Sequence, residues 1–253
     1  MNISVRLAAF QLLVVSLCWP CISFADLPST IEKVKPSIVA IGTYLKTQSP
    51  PFVFRGTGFA VGNGNRIATS AHVLPETGTT DAPELAILSR TARGDTLIRR
   101  ATVLNRDTDH DLAVLHIDGP PLPALTIGIS SDVREGQEIA FTGFPIGGTL
   151  GFSPVTHRGI LSALTPIAIP GANSNQLNEK LIKQIRRGSF NVFQLDATAY
   201  PGNSGSPVYD SRSGEVIGVI NMVFIKGSKE AILSNPSGIS YAIPANYLTE
   251  LLK

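Results

Sequence analysis

With 253 residues, 43% of them hydrophobic and 16% charged, the chain can bury a core of its own, and a formal net charge of +2 argues against a nucleic-acid or anionic-membrane partner. Both cysteines, Cys18 and Cys21, lie near the N-terminus, and the remainder is cysteine-free, which excludes a disulfide framework and thiolate metal sites there.

The chain opens with Arg6, the apolar run Leu7 to Leu17, and a stretch ending Ser23-Phe24-Ala25 before Asp26. Small residues at 23 and 25 match what a signal peptidase reads. The run is roughly half the ~20 residues that a bilayer-spanning helix needs. A secretory signal peptide over residues 1–25, cleaved after Ala25, is therefore expected, with an exported product that is periplasmic or extracellular. Leu17 precedes Cys18 where lipidation needs a small residue, so no lipid anchor is expected. Stability must then come from core burial.

From residue 37 onward, short apolar runs alternate with turn residues: Ser37 to Leu45, Gly58 to Val61, Arg66 to Ser70, Glu84 to Leu88, Ala101 to Leu104 and Asp111 to Ile117. Val, Ile, Thr and Phe fill the runs, and Gly, Asn and Asp fill the breaks, as in Gly62-Asn63-Gly64-Asn65. This is the rhythm of an all-β chain. No long helical period appears in the first 165 residues. The prolines of Asp118-Gly119-Pro120-Pro121-Leu122-Pro123 cannot donate to a ladder, so this segment divides the chain into residues 26–120 and 121–253. Strands resume at Glu138 to Gly143, His157 to Ala163, Phe190 to Asp196, Gly205 to Tyr209, Glu215 to Phe224 and Ile239 to Ile243. Apolar positions 177, 181, 182 and 185 predict a short amphipathic helix over Leu177 to Arg187, and a second helix is predicted from Pro244 or Ala245 to Leu252.

Chemistry concentrates in three places. In Pro201-Gly202-Asn203-Ser204-Gly205-Ser206-Pro207, a serine sits between glycines on a tight turn, where the N–H groups of Gly202 and Ser204 could converge as an oxyanion hole. The same residues would also serve as an ordinary hairpin turn. A serine hydroxyl needs a base, and the histidines are His72, His110, His116 and His157. His72 ends the strand Ala68 to Ala71 just before a turn at Pro75; a buried, merely packed histidine fits the same position. Asp111 starts the apolar strand Asp111-Leu112-Ala113-Val114-Leu115, at the edge of the core, where it could orient an imidazole or simply cap a turn. Asp107 and Asp109 stand in a polar run and are expected to be solvated.

The order His72 in Thr-Ser-Ala-His, Asp111 in Asp-Leu-Ala-Val-Leu and Ser204 in Gly-Asn-Ser-Gly-Ser-Pro resembles the chymotrypsin-like (trypsin-like) serine peptidases, most nearly their bacterial HtrA-type and glutamyl-endopeptidase-type branches. Gly56-Thr57-Gly58-Phe59-Ala60-Val61, Arg158-Gly159-Ile160-Leu161-Ser162-Ala163, Gly214-Glu215-Val216-Ile217-Gly218-Val219 and Gly238 to Pro244 extend the match. The resemblance implies two perpendicular six-stranded β-barrels with a short C-terminal helix and the site in the cleft between them. It further implies a serine endopeptidase acting on polypeptides, with Ser204 as nucleophile, His72 as general base, Asp111 as orienting acid, Gly202 and Ser204 as oxyanion donors, and no metal or cofactor. HtrA-type proteins usually continue into a PDZ domain, and none is expected here. The strand Val219-Ile220-Asn221-Met222-Val223 lacks the histidine of glutamyl endopeptidases, so Ile220, Asn221 and Met222 are expected to line an uncharged pocket that prefers aliphatic residues before the scissile bond. Asp196, eight residues before Ser204, is expected to be structural.

Overall fold

The structure is a computed structural model that describes residues 26–75, 83–91, 94–147, 151–166, 190–221 and 238–253. The signal segment, the helix expected over Leu177 to Arg187, and Met222 lie outside the described residues.

Two closed antiparallel barrels of six strands each form the molecule. The first comprises β1 (Ile38–Tyr44), β2 (Phe52–Val61), β3 (Arg66–Ser70), β4 (Glu84–Arg90), β5 (Thr96–Asp107) and β6 (Leu112–Ile117), in the order β1-β2-β3-β6-β5-β4. The second comprises β7 (Glu138–Gly143), β8 (Val155–Pro166), β9 (Asn191–Asp196), β10 (Pro207–Asp210), β11 (Val216–Ile220) and β12 (Ile239–Pro244), in the order β10-β11-β12-β9-β8-β7. Closure satisfies the backbone groups that an open sheet would leave at its edges. The proline-rich segment falls between β6 and β7.

Why several strands are apolar at every position follows from where their two faces point. In β6, Ala113, Leu115 and Ile117 point into the first barrel with Val39, Ile41 and Ile67. The alternate residues Leu112 and Val114 join a separate cluster that includes Val216, Val219, Ile243 and Leu248 from the second half. Ile139, Phe141, Leu161, Phe193, Val208 and Ile220 fill the second barrel. A strand facing a barrel interior on one side and the other barrel on the opposite side has no solvated face, so no polar alternation appears.

Among the described residues, two α-helices frame this core. The C-terminal helix predicted from the sequence is α2 (Ala245–Leu251), with Ala245 and Leu248 buried. The other, α1 (Leu27–Val34), was not anticipated. Asp26 caps it by accepting the Ser29 N–H at 3.2 Å, Pro28 occupies the first turn, and Thr30 Oγ1 donates to Arg212 O at 3.1 Å, which docks the helix on the second half.

His157 on β8 lies across from Phe141 on β7, its ring stacked 4.8 Å from the phenyl at 17° and 6.0 Å from Tyr200. Its Nε2 is buried without a hydrogen-bond partner, and burial lowers its pKa from the ordinary 6.5. The unfolded chain then takes up this proton at a higher pH than the folded one, so the contribution of His157 to stability is complete above about pH 6.5 and is lost as pH falls below that value toward the folded pKa. His157→Phe should flatten the dependence of Tm on pH below about 6.5 relative to the wild type. Identical slopes for the two proteins would count against this account.

Candidate active site

His72 sits in a 3-10 turn, Ala71–Val73, that directly follows β3. Several bonds hold this turn: Ala71 N donates to Asp111 O at 2.9 Å, Arg55 Nε donates to Val73 O at 2.7 Å, and an Arg106 NH donates to Ala71 O at 3.4 Å. The resulting position leaves the His72 side chain 33% and the Asp111 side chain 21% exposed, so the imidazole is reachable from solvent.

Asp111 occupies the last position before β6 with φ +55, in the left-handed region that non-glycine residues rarely adopt. Its carboxylate accepts the His72 backbone N–H on Oδ1 at 2.8 Å, and Oδ2 lies 2.5 Å from His72 Nδ1. Because a carboxylate only accepts, Nδ1 carries the proton and Nε2 presents a lone pair, which is the tautomer a general base requires. A further donor reaches Oδ2 from the second half: Asn221 Nδ2, at 2.7 Å.

Ser204, 6% exposed, rides on the turn between β9 and β10 of the second barrel, where it meets the first. Its carbonyl accepts the Thr57 N–H at 2.9 Å, and Thr57 Oγ1 donates to Gly202 O at 2.7 Å. Gly205 N donates to Ile220 O at 2.9 Å, and Ser70 Oγ donates to the same carbonyl at 3.1 Å. Two glycines are sterically required. Gly202 has φ +104, and a methyl group there would run into Phe144 O and stand 3.0 Å from the Phe54 ring. Gly205 has φ +85, and a methyl group there would collide with Thr57 O and Thr69 Oγ1 and stand 3.0 Å from Ser70 N. The Ser204 turn is thereby pressed against the end of β3, two residues before His72.

The structure therefore joins His72 to Asp111 and ties the Gly202–Ser204 turn to Thr57 of the first barrel, and it gives two residues of the expected pocket different surroundings. Asn221 is fully buried with its amide on Asp111, not facing a substrate pocket. Ile220 is fully buried in the second-barrel core behind the nucleophile turn. Asp196 is exposed at the end of β9, paired with Ile160 and Ile239. Asp107, expected to be solvated, is half-buried and lies 2.6 Å from His110 Nδ1. Thr57, which fastens the nucleophile turn, was visible only as part of the Gly-Thr-Gly-Phe block.

Among the described residues, no group of three or more His, Cys, Asp or Glu comes together as a metal site would require. A polar hollow of about 300 Å³ lined by Asp132, Gln137, Asp210, Ser213 and Glu215 shares no residue with the His72–Ser204 site. The Asp210 carboxylate there already accepts the N–H groups of Arg212 and Ser213 and the Gln137 amide.

Comparison with known proteins agrees with this geometry. A probable periplasmic serine endoprotease DegP-like from Halomonas elongata is 31% identical over 190 residues, which is 75% of this chain and 32% of that protein. Serine protease PepD of Mycobacterium tuberculosis is 29% identical over 235 residues, 90% of this chain and 47% of that protein. The chain thus spans about a third to a half of the length of these curated relatives. Among solved structures, Deg5 superposes with a TM-score of 0.62 at 26% identity, covering 88% of this chain and 90% of its own, and the HtrA-type protease AlgW with a tripeptide gives 0.62 at 26%, covering 90% and 62%. The family model described as the trypsin-like peptidase domain matches residues 56–219, a span that contains His72, Asp111 and Ser204, and the chain belongs to that family.

Proposed function

We propose that the chain is an exported serine endopeptidase that cleaves polypeptides through an acyl-enzyme on Ser204. The observation that carries this reading is the Asp111 carboxylate 2.5 Å from His72 Nδ1, which leaves Nε2 to act as a base toward Ser204. His72 removes the Ser204 hydroxyl proton as Oγ attacks the scissile carbonyl. The negative charge that develops on the carbonyl oxygen is met by the N–H groups of Gly202 and Ser204. The imidazolium, stabilised by Asp111, then protonates the leaving amine. Water, deprotonated by His72 in turn, hydrolyses the ester and restores the hydroxyl. Export rests on the Arg6 to Ala25 pattern and agrees with the periplasmic relatives.

An uncharged primary pocket is part of the proposal. The segment Val219 to Val223 carries no charged residue, and Thr198 and Ala199, shortly before Ser204, are uncharged as well. A substrate carboxylate or ammonium brought against such a wall would lose water without gaining a counter-charge. Aliphatic residues before the scissile bond are favoured instead, with about 1–3 kcal/mol of discrimination per methylene.

Three measurements test these assignments. Ser204→Ala should abolish peptide turnover down to a residual of roughly 10³–10⁴ over the uncatalysed rate while the circular dichroism spectrum stays that of the wild type; wild-type turnover in this variant would refute the nucleophile assignment. Gly202→Ala, which forces the turn away from Phe144, should slow labelling of Ser204 by a fluorophosphonate about 10²–10³-fold, and unchanged labelling would separate this turn from the oxyanion role. A peptide-library profile of the purified protein should be dominated by Val, Ile, Leu or Ala before the cleaved bond; dominance of Glu, Lys or Arg would overturn the pocket assignment and leave the triad standing.

A further inference from the structure

The molecule contains a second histidine–aspartate pair, immediately next to the first. His110 Nδ1 lies 2.6 Å from Asp107 Oδ2, and Asp107 Oδ1 accepts the N–H of His110 at 3.0 Å and of Asp109 at 2.9 Å. Partial burial alone would raise the Asp107 carboxyl, yet these hydrogen bonds outweigh it and hold its pKa below the usual carboxylate value.

What surrounds the His110 ring sets it apart from a second catalytic dyad. One face stacks on Tyr247 of α2, with centroids 3.9 Å apart and planes at 20°, and Phe190, just before β9, meets the ring edge-on at 4.6 Å and 67°. Phe190 and Tyr247 also touch each other, at 5.5 Å. The ring is thus packed by groups from the second half of the chain, and neither partner of its Nδ1 nor of its face is a nucleophile. Two further bonds tie α2 to the first barrel on the same side: Asn105 Nδ2 donates to Leu251 O at 2.7 Å and an Arg66 NH donates to Leu252 O at 2.8 Å.

The next residue after His110 is Asp111, in its left-handed backbone conformation. Such a conformation is strained for a residue with a side chain and persists only where the surroundings over-determine it. We propose that His110 is a positioning residue of the catalytic centre: clamped by Asp107, Tyr247 and Phe190, it holds the Asp111 backbone in place and so aligns the first-barrel carboxylate with His72 and with Asn221 of the second. The inference rests on the serine-peptidase reading for its functional meaning, but it concerns a geometry that can be observed without turnover.

The test reads the His72 Nδ1 proton directly. A proton shared with a carboxylate across 2.5 Å resonates far downfield in the proton NMR spectrum, so the wild type should show such a signal at low temperature, and Asp111→Asn should lose it. In His110→Ala the signal should vanish or broaden, and fluorophosphonate labelling of Ser204 should slow at least tenfold. Tyr247→Leu, acting from the opposite side of the ring, should move both readouts in the same direction, whereas Tyr247→Phe, which keeps the stacked ring, should restore both. Ile139→Ala in the second-barrel core provides a variant of lowered Tm that should keep the signal. A wild-type signal and labelling rate in both His110→Ala and Tyr247→Leu would overturn the proposal, as would an equal loss in Ile139→Ala or the absence of the signal from the wild type. If the wild type shows the signal but neither labels nor cleaves peptides, the peptidase reading fails, and the NMR comparison still decides whether His110 positions Asp111.

Discussion

The Asp111 carboxylate is the point on which the two halves of the molecule agree. It sits on the first barrel and accepts from His72 there, while the amide of Asn221, just past β11 of the second barrel, donates to the same oxygen that faces the imidazole. A partly buried carboxylate needs its lone pairs occupied. That demand couples the placement of His72 to the placement of the second barrel, which also carries Ser204. Neither barrel alone supplies all of the donors, so correct docking of the halves and correct orientation of the base are one event.

The packing explains how such docking is held without disulfides in the described part of the chain. Leu112 and Val114 turn one face of β6 toward the other half, where they share a cluster with Val216, Val219 and Leu248, while Ala113 and Leu115 fill the barrel behind them. Polar ties follow the same seam. Thr57 donates through both its N–H and its hydroxyl to the nucleophile turn and accepts the Phe144 N–H at 3.1 Å, so one first-barrel residue sets the positions of Gly202, Ser204 and Phe144. Apolar area supplies the attraction, and these directional bonds select one register.

Much of this was legible in the sequence, for physical reasons that also mark where legibility ends. Strands declared themselves through β-branched and aromatic runs broken by Gly, Asn and Asp, because those preferences are local. His72, Asp111 and Ser204 stood out because each is embedded in a local block. Asn221 was read as part of a strand facing a pocket, whereas it lies just past β11 with its amide on Asp111: that partner is 110 residues away in the chain, and no local pattern reports it. Helix α1 carries Leu27, Ile31 and Val34 on one face, but eight residues are too few for a period to stand out, and only the Asp26-Leu27-Pro28 start could have announced it. His110 and Asp107 read as a solvated run because the rings that cover His110 come from residues 190 and 247, and no local pattern reports a contact between such distant positions.

The stacking of Tyr247 on His110 also orders events in time. Asp107 to Asp111 are synthesised well before residue 247, and until α2 is present the loop lacks one wall of its aromatic seat. A nascent chain therefore holds Ser204 and His72 without the full support of the carboxylate that lies between the two halves. Long-range contacts of this kind form late. The seat of Asp111 is thereby completed only once the chain has been made through residue 247, so the order of synthesis is also the order of assembly.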